Sequence, residues 1–352
     1  MATEPSPVAA GRQRATIRDV ARLAGVHPST VSRVLNGDAR RAVAETRQRI
    51  AEAARSLDWR PNAAARSLST GLSYTLGMQI PSFGNTAYAK MIAGAQVAAE
   101  SSGNVLLVTE TSGDEERIQL QSERMADRVD GIVIASDLMP STTMAMLEER
   151  GVPLVQLNRR AAGATQSVIA DDEAGVTLAL RHLHELGHRR IGYIVGKARY
   201  DTTERRVRAY RTFSKEQGLA NSGLIYRGSL VPARLRMGIA KLLDRPVHER
   251  PTALLAINLQ AAVQLLTTLR ELGLRVPEDL SVMGFDDGPL AEHLWPPLTT
   301  IWMPREAMGK KAVEVLLSLL GRHDVPDTIM VEAAPEFIER ASTAPVMPSS
   351  NH

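Results

Sequence analysis

A short polar segment near the N-terminus carries the residue types best suited to contact nucleic acid. It consists of Pro28, Ser29, Thr30, Ser32 and Arg33. Serine and threonine hydroxyls pair with several base edges and so discriminate weakly, whereas arginine can contact guanine or a phosphate. Proline has no side-chain donor and offers only apolar contact. Direct readout of bases would therefore depend on Arg33 and on a neighbour such as His27.

Two short helices joined by a glycine turn are predicted to position this polar face. Thr16 can cap the first helix, and Asp19 completes a capping-box pattern. The apolar positions recur at helical spacing: Ile17, Val20, Ala21 and Ala24 in the first helix, and Val31, Val34 and Leu35 in the second. Gly25 can enter a left-handed turn, and Pro28 suits a first helical turn. The pattern predicts a helix-turn-helix, with a buried αα-hairpin as the alternative.

Two further helices are predicted before residue 72. Residues 45–57 form a third helix that would complete a three-helix core, and Pro61 ends it. Residues 62–70 favour a helix too short to be stable alone in water, with a plain linker as the alternative. Residues 1–14 are predicted to be a disordered arm. The head therefore spans residues 15–60, followed by a short helix within 61–71.

Positive charge is concentrated in this head. Residues 11–71 contain twelve arginines, no lysine and five acidic residues, a net charge of +7 within a chain of net charge +3. A compact basic unit that also holds a helix-turn-helix favours a polyanionic partner. The alternative is a solvated basic surface.

Composition excludes several protein classes. The chain has 352 residues, 44% hydrophobic content and no cysteine, which rules out disulfides, thiolate metal sites and cysteine nucleophiles. Its segments fall short of the roughly 18 uncharged apolar residues of a membrane span. MATEPSPVAAGRQR lacks the apolar core of a signal peptide, so we expect a cytoplasmic protein.

From Tyr74 onwards, apolar strand patterns alternate with helical ones. Such alternation predicts α/β architecture with parallel sheets covered on both faces. There are two sets of about 100 residues each, which is the size of a subdomain. The sequence therefore predicts a head followed by a two-part α/β core.

The segments IRDVARLAGVHPSTVSRVLNG and RPNAAARSL resemble the LacI/GalR family of bacterial transcription regulators. The resemblance covers about residues 15 to 343. It implies a periplasmic-binding-protein-like core over residues 72–343. The first subdomain would hold residues 72–170 plus 300–332, the second 171–299, and residues 344–352 would be a disordered tail. No leucine heptads of the kind that make some members tetramers are present, so we expect a homodimer.

The resemblance also implies the DNA contacts. Residues 62–70 would be a hinge helix, with Leu68 wedging a base step in the minor groove and Ala65 facing the partner helix. A dimer requires a pseudo-palindromic double-stranded operator. The DNA-binding residues would be Thr16, His27, Pro28, Ser29, Thr30, Ser32, Arg33, Asn36, Asn62, Ala65, Arg66 and Leu68.

Four polar residues match the family's small-molecule site: Asn158, Arg206, Asn258 and Asp286. Amides, a guanidinium and a carboxylate suit the hydroxyls of a sugar-like effector, although a cap or turn role is the alternative for each Asn and Asp. Phe83 and Tyr88 could supply stacking. The chain departs from the family pattern at three positions, because Ala209 replaces a glycine, Leu259 an aspartate and Leu230 an aromatic ring.

Enzyme and metal patterns are weak. The glycines before Lys197 are one residue short of a phosphate loop, and histidines two residues apart face different ways on a helix. The acid pairs at Asp171 and Asp286 have no obvious nucleophile nearby. We therefore predict no catalytic residue, metal or cofactor. The predicted function is an effector-controlled repressor of carbohydrate uptake or catabolism genes, with a periplasmic-type sugar-binding module or sugar-processing enzyme as the alternative.

Overall fold

The computed structural model describes residues 15–35, 43–59, 67, 70–135, 139–160, 166–196, 200–219 and 223–346. The chain divides into two compact units, Met1–Ser73 and Tyr74–His352. Predictions made for the arm 1–14 and for Asn36, Asn62, Ala65, Arg66 and Leu68 lie outside the described residues. None of the described helices is long and apolar enough to cross a membrane.

The described part of the head contains the predicted three helices: α1 (Ile17–Ala24), α2 (Pro28–Leu35) and α3 (Ala44–Ser56). The capping box is present, because Thr16 and Asp19 bond reciprocally through side chain and backbone. Gly25 ends α1 with a φ of 63°, in the left-handed region. Val20, Val31 and Ile50, one from each helix, are completely buried. The three helices therefore share one small core.

The first subdomain is built on a six-stranded parallel sheet with strand order β11-β5-β4-β3-β1-β2. Its strands are β1 (Thr75–Ile80), β2 (Val105–Glu110), β3 (Gly131–Ile134), β4 (Leu154–Leu157), β5 (Gln166–Ile169) and β11 (Thr328–Met330). Its helices are α4 (Thr86–Ser101), α5 (Glu115–Ala126), α6 (Ser141–Glu149) and α12 (Arg305–Leu320). The central strands β1 and β3 are almost wholly buried, as expected for a sheet covered on both faces.

Two glycines allow α4 and α12 to approach closely over this sheet. A Cβ at Gly94 would lie 1.9 Å from the backbone oxygen of Glu306, and one at Gly309 would lie 1.8 Å from that of Met91. No other residue type could occupy either position without moving a helix. This contact fixes α12, the element that returns from the second subdomain.

The second subdomain is also built on a six-stranded sheet, with order β12-β10-β9-β8-β6-β7. Its strands are β6 (Ile191–Ile194), β7 (Ile225–Tyr226), β8 (Ala253–Ala256), β9 (Ser281–Phe285), β10 (Thr299–Trp302) and β12 (Glu336–Ile338). Its helices are α7 (Asp172–Glu185), α8 (Asp201–Glu216), α9 (Pro232–Leu243), α10 (Leu259–Glu271) and α11 (Pro289–Glu292). Only the β10–β12 pair is antiparallel among the described strand pairs.

One predicted boundary is wrong. The expected first subdomain begins its returning segment at residue 300, but β10 pairs in parallel with β9, so Thr300–Trp302 belong to the second sheet. The chain then passes to the first subdomain at α12, which leaves β11 on the first sheet and places β12 back on the second. The chain therefore crosses between subdomains three times, before α7, before α12 and after β11.

Candidate functional site

The two subdomains enclose a cavity of about 490 Å³ at the carboxyl ends of their strands. This is where open parallel sheets place ligands. The central cavity is lined by Asn85, Ala87, Tyr88, Asn158, Arg159, Val195, Gly196, Tyr200, Thr202, Thr203, Arg206, Ser229, Leu230, Arg234, Ile257, Asn258, Asp286 and Arg305. Its volume suits a small ligand.

Five of the six residues predicted for an effector site line the central cavity: Tyr88, Asn158, Arg206, Asn258 and Asp286. The sixth, Phe83, does not. Phe83 is 55% exposed, and its backbone N–H donates to the Glu110 carboxylate at 3.3 Å. The aromatic rings at the cavity are those of Tyr88 and Tyr200 instead. Leu230, which stands where the family pattern has an aromatic ring, also lines the cavity, so this replacement changes the cavity wall itself.

Arg206 is held by a buried carboxylate. Its Nε donates to Asp172 at 2.8 Å, and its Nη1 donates to the carbonyl of Ile257 at 2.6 Å. The guanidinium lies 4.1 Å above the ring of Phe285. Burial acts to lower the pKa of Arg206, but the charge and hydrogen bond of Asp172, together with Tyr193 and Asp286, outweigh it and raise that pKa. Arg206 therefore presents a rigid, permanently charged donor to the cavity.

The same carboxylate organises a second arginine behind the wall. Asp172 also accepts from Arg205 at 2.5 Å, and Arg205 donates through Nε to Asp201 at 2.9 Å. Burial acts to raise the pKa of Asp172, but Arg206, Arg205 and Arg305 together outweigh it and hold the pKa below its ordinary value. Asp172 thus stays ionised although it is completely enclosed.

Arg305 joins the two subdomains at the cavity floor. Its Nε donates to Asp286 at 2.7 Å and its Nη1 donates to Asn158 at 2.8 Å. Asn158 follows β4 of the first sheet, whereas Asp286 follows β9 of the second. Both residues have positive φ, 68° and 70°, which Asn and Asp tolerate better than most residues. Each side chain is thereby turned toward Arg305.

Asn258 has a structural role as well as a place in the wall. Its Oδ1 accepts from the backbone N–H of Ala261 at 2.8 Å and caps α10. The cap expected as the alternative reading is therefore present.

Sequence reasoning missed several functional candidates. Arg159 is one of them. It follows Asn158 directly, so its position at a strand end was a signal that the sequence offered. Its Nη2 donates to the Tyr88 hydroxyl at 3.3 Å, and its guanidinium lies 4.7 Å from the Tyr200 ring centre. Arg305 begins a helix that lies far along the chain from Asn158. No local spacing could have connected these two residues.

The weak enzyme and metal patterns gain no support in the described residues. No group of three or more possible metal ligands is found there. His188 is buried against Thr252 and Ser281, and burial lowers its pKa to about 4. Asp287 is bonded to Arg340 and Thr300. These side chains make contacts within the second subdomain.

In the head, the polar face lies on α2 and the turn before it. Ser29 and Arg33 are exposed, while Thr30 and Ser32 are half-buried. The ring of His27 bonds to the hydroxyl of Ser29 at 2.8 Å, which fixes both side chains relative to the start of α2. The buried side of the same helix is anchored by Val31.

The comparisons agree with this architecture. Residues 16–62 match "Bacterial regulatory proteins, lacI family", and residues 180–343 match "Periplasmic binding protein-like domain". The chain is 35% identical over 333 residues to the HTH-type transcriptional repressor PurR of Aliivibrio fischeri, covering 93% of this chain and 98% of that protein.

Two solved structures have the same fold. The lac repressor dimer bound to operator and the anti-inducer ONPF is 26% identical, with a TM-score of 0.78 over 94% of this chain and all of that one. The transcriptional regulator CelR in complex with cellobiose is 28% identical, with a TM-score of 0.69 over the same shares.

A helix-turn-helix head joined to a two-subdomain α/β core with a central cavity defines a class of DNA-binding transcription regulators. This chain belongs to the LacI family and is a DNA-binding transcriptional repressor.

Proposed function

We propose that this repressor is controlled by a small polyhydroxylated effector bound in the central cavity. The observation that carries the proposal is the arrangement around Arg305, which bonds to Asn158 of one subdomain and Asp286 of the other. A ligand among these groups contacts both halves of the core at once. The wall combines amide, guanidinium, hydroxyl and carboxylate groups, which suit hydroxyl groups of a ligand.

The proposed mechanism is linkage between two binding events. Effector closes the two subdomains around itself and changes their orientation across a homodimer. This alters whether two hinge helices can pair in the minor groove, and so alters the affinity for a pseudo-palindromic operator. The size of the response depends on the effector's differential affinity for the two states, since equal affinity for both shifts nothing.

The relatives leave the effector class open between two chemistries. CelR is solved with cellobiose, which supports a sugar, whereas the name PurR suggests a purine for that repressor. Polar groups on several sides of the cavity favour the polyhydroxylated compound. Control of carbohydrate uptake or catabolism genes follows from that choice.

On the DNA side, the proposal assigns base and phosphate contacts to the polar face of α2. Arg33 and Ser29 are its exposed members, with His27 fixed beside them. The resemblance to the LacI/GalR family assigns to Leu68 the insertion between base pairs in the minor groove.

A footprinting and salt-titration assay on the DNA upstream of the gene tests the proposal. We expect a protected pseudo-palindrome, with log affinity falling against log salt at a slope of order −4 to −8 for several neutralised phosphates. The titration is repeated with sugars, sugar phosphates, polyols and purine bases. A compound that shifts the curve identifies the effector class and its sign.

Asn258→Asp provides a sharp variant for the same assay. It keeps the oxygen that caps α10 but removes the amide donor facing the cavity, so operator binding without effector should be unchanged while the effector response weakens. Asn104→Asp, outside the cavity, is the matched control. An unchanged dose response in Asn258→Asp would show that the Asn258 amide does not contact the effector. For the proposal as a whole, failure to recover any operator by genome-wide selection would favour a sugar-binding module.

A further inference from the structure

The central cavity is surrounded by an excess of buried positive charge. Among the described residues, the buried arginines and aspartates all cluster around it: Arg159, Arg205, Arg206, Arg305, Asp172 and Asp286. Four guanidinium groups thus face two carboxylates. Guanidinium groups remain protonated in proteins, so the positive charges cannot be removed by titration.

Two partly exposed groups, one paired with this buried set and one in the cavity lining, leave the same excess. Asp201, 29% exposed, adds one negative charge through its pair with Arg205. Arg234, an exposed lining residue near the start of α9, adds one positive charge. The wall and its supporting layer therefore carry two more positive than negative charges.

The two buried carboxylates are committed to the structural layer. Asp172 binds Arg205 and Arg206, and Asp286 binds Arg305. Arg159 also lines the cavity, where its guanidinium contacts the hydroxyl of Tyr88 and the ring of Tyr200. Arg159 is only 5% exposed; burial acts to lower its pKa, and Tyr88, Tyr200 and the charge of Asp201 oppose that effect.

We propose that the effector is an anion, specifically a phosphorylated polyhydroxy compound whose phosphate lies between Arg159 and Arg234. This inference rests on the proposed function, because it concerns the same cavity. A phosphate monoester carries about −1.5 to −2 charges at pH 7, which matches the excess, whereas a carboxylate carries about half of that. Arginine also matches phosphate geometry through paired hydrogen bonds. The hydroxyl groups of the compound then face Asn258 and Arg206.

The test measures thermal stability and binding for the full chain. Matched pairs are compared by melting temperature and calorimetry: glucose with glucose 6-phosphate, ribose with ribose 5-phosphate, and glucose with glucuronate as the carboxylate arm. Inorganic phosphate is compared with chloride at equal ionic strength. We expect the phosphorylated member of at least one pair to bind more tightly than its neutral parent, and inorganic phosphate to raise the melting temperature.

Three variants locate the effect. Arg159→Gln and Arg234→Gln should each weaken binding of the phosphorylated compound roughly 10- to 100-fold, the factor for one hydrogen bond to a charged group. Arg236→Gln is the control, because Arg236 lies on the same helix, is exposed and pairs only weakly with Glu271 at 3.9 Å. All three variants keep the basic head, so any phosphate that binds to the head contributes equally to each measurement. Arg234 is exposed, so its variant is expected to fold even if Arg159→Gln does not.

The outcomes separate this inference from the proposed function. If neutral sugars bind and the phosphorylated compounds and inorganic phosphate do not, the anionic effector is overturned while the effector cavity stands. Equal loss of phosphate binding in Arg236→Gln and Arg234→Gln would also overturn it. If no neutral or charged compound changes either stability or operator affinity, both proposals fail.

Discussion

Replacing Asp172 by asparagine tests whether one buried carboxylate holds the cavity wall. Asp172 is completely enclosed and bonds to Arg205 and Arg206. Asparagine has nearly the same shape, so the substitution leaves the packing intact. It removes the charge that compensates two enclosed guanidinium groups.

The expected loss of stability is large. Breaking a buried ion pair by removing one partner costs about 3–5 kcal/mol, because the remaining charge is left uncompensated. For a core of this size, 1 kcal/mol lowers the melting temperature by roughly 2 °C. Asp172→Asn should therefore melt about 6–10 °C below the wild type.

Calorimetry at pH 7 measures the effect, with Glu173→Gln as the control. Glu173 is the next residue of the same helix turn, is 52% exposed and pairs with Arg208 at 3.4 Å. An exposed pair contributes at most about 1 kcal/mol, so the control should melt within about 2 °C of the wild type. Both variants remove one negative charge from the first turn of α7, so the loss of its interaction with the helix dipole affects both melting temperatures alike.

The pH dependence supplies a second check. The pKa of Asp172 is lowered in the folded protein, so its stabilisation is complete above the ordinary carboxyl pKa of about 4 and is lost as pH falls below it. The deficit of Asp172→Asn should thus be largest at neutral pH and shrink in acid. A deficit equal to that of Glu173→Gln, or one that grows below pH 4, would refute the reasoning.

Three other substitutions test separate features. Gly94→Ala should destabilise the core by about 1–3 kcal/mol in denaturant titration, because its Cβ would meet the Glu306 carbonyl, despite alanine's better helix propensity. His188→Gln should reduce the fall in the free energy of unfolding between pH 6.5 and 4, measured by denaturant titration, because the folded state resists protonation of a histidine whose pKa is about 4. An unchanged pH dependence would mean that other groups cause that fall. Thr16→Ala should speed amide exchange in α1 about fivefold, the effect of losing roughly 1 kcal/mol of capping, with exchange in α7 unchanged.

The sequence predicted the fold well where periodicity and capping agree. The helix-turn-helix was predicted from local signals alone, and the structure confirms the capping box at Thr16 and the left-handed turn at Gly25. The core was predicted from alternating strands and helices. The error at β10 arose because TTIW has the same pattern in either sheet, and only its pairing with β9 decides where it belongs.

The cavity was predictable only where strand ends carry polar residues. Asn158, Asn258 and Asp286 each follow a buried strand, so topology alone gathers them at one edge. Phe83 was misplaced because it follows β1 through a loop, and the length of that loop says little about which way the ring turns. Asp172 was noticed only as part of an acid pair with Asp171. Its role and that of Arg305 carry no local signal, since each acts through residues distant in the sequence.

Two residues whose roles sequence reasoning missed, Asp172 and Arg305, connect the cavity to the crossings between subdomains. Asp172 begins α7 just after the first crossing, and Arg305 begins α12 just after the second. Both bond to cavity residues, Asp172 to Arg206 and Arg305 to Asn158 and Asp286. A change in the angle between subdomains must therefore move the donors that meet a ligand. A ligand that contacts only one half gains nothing from that movement and cannot shift the equilibrium. Compounds long enough to contact Asn258 and Arg159 together are for this reason the ones expected to change operator affinity.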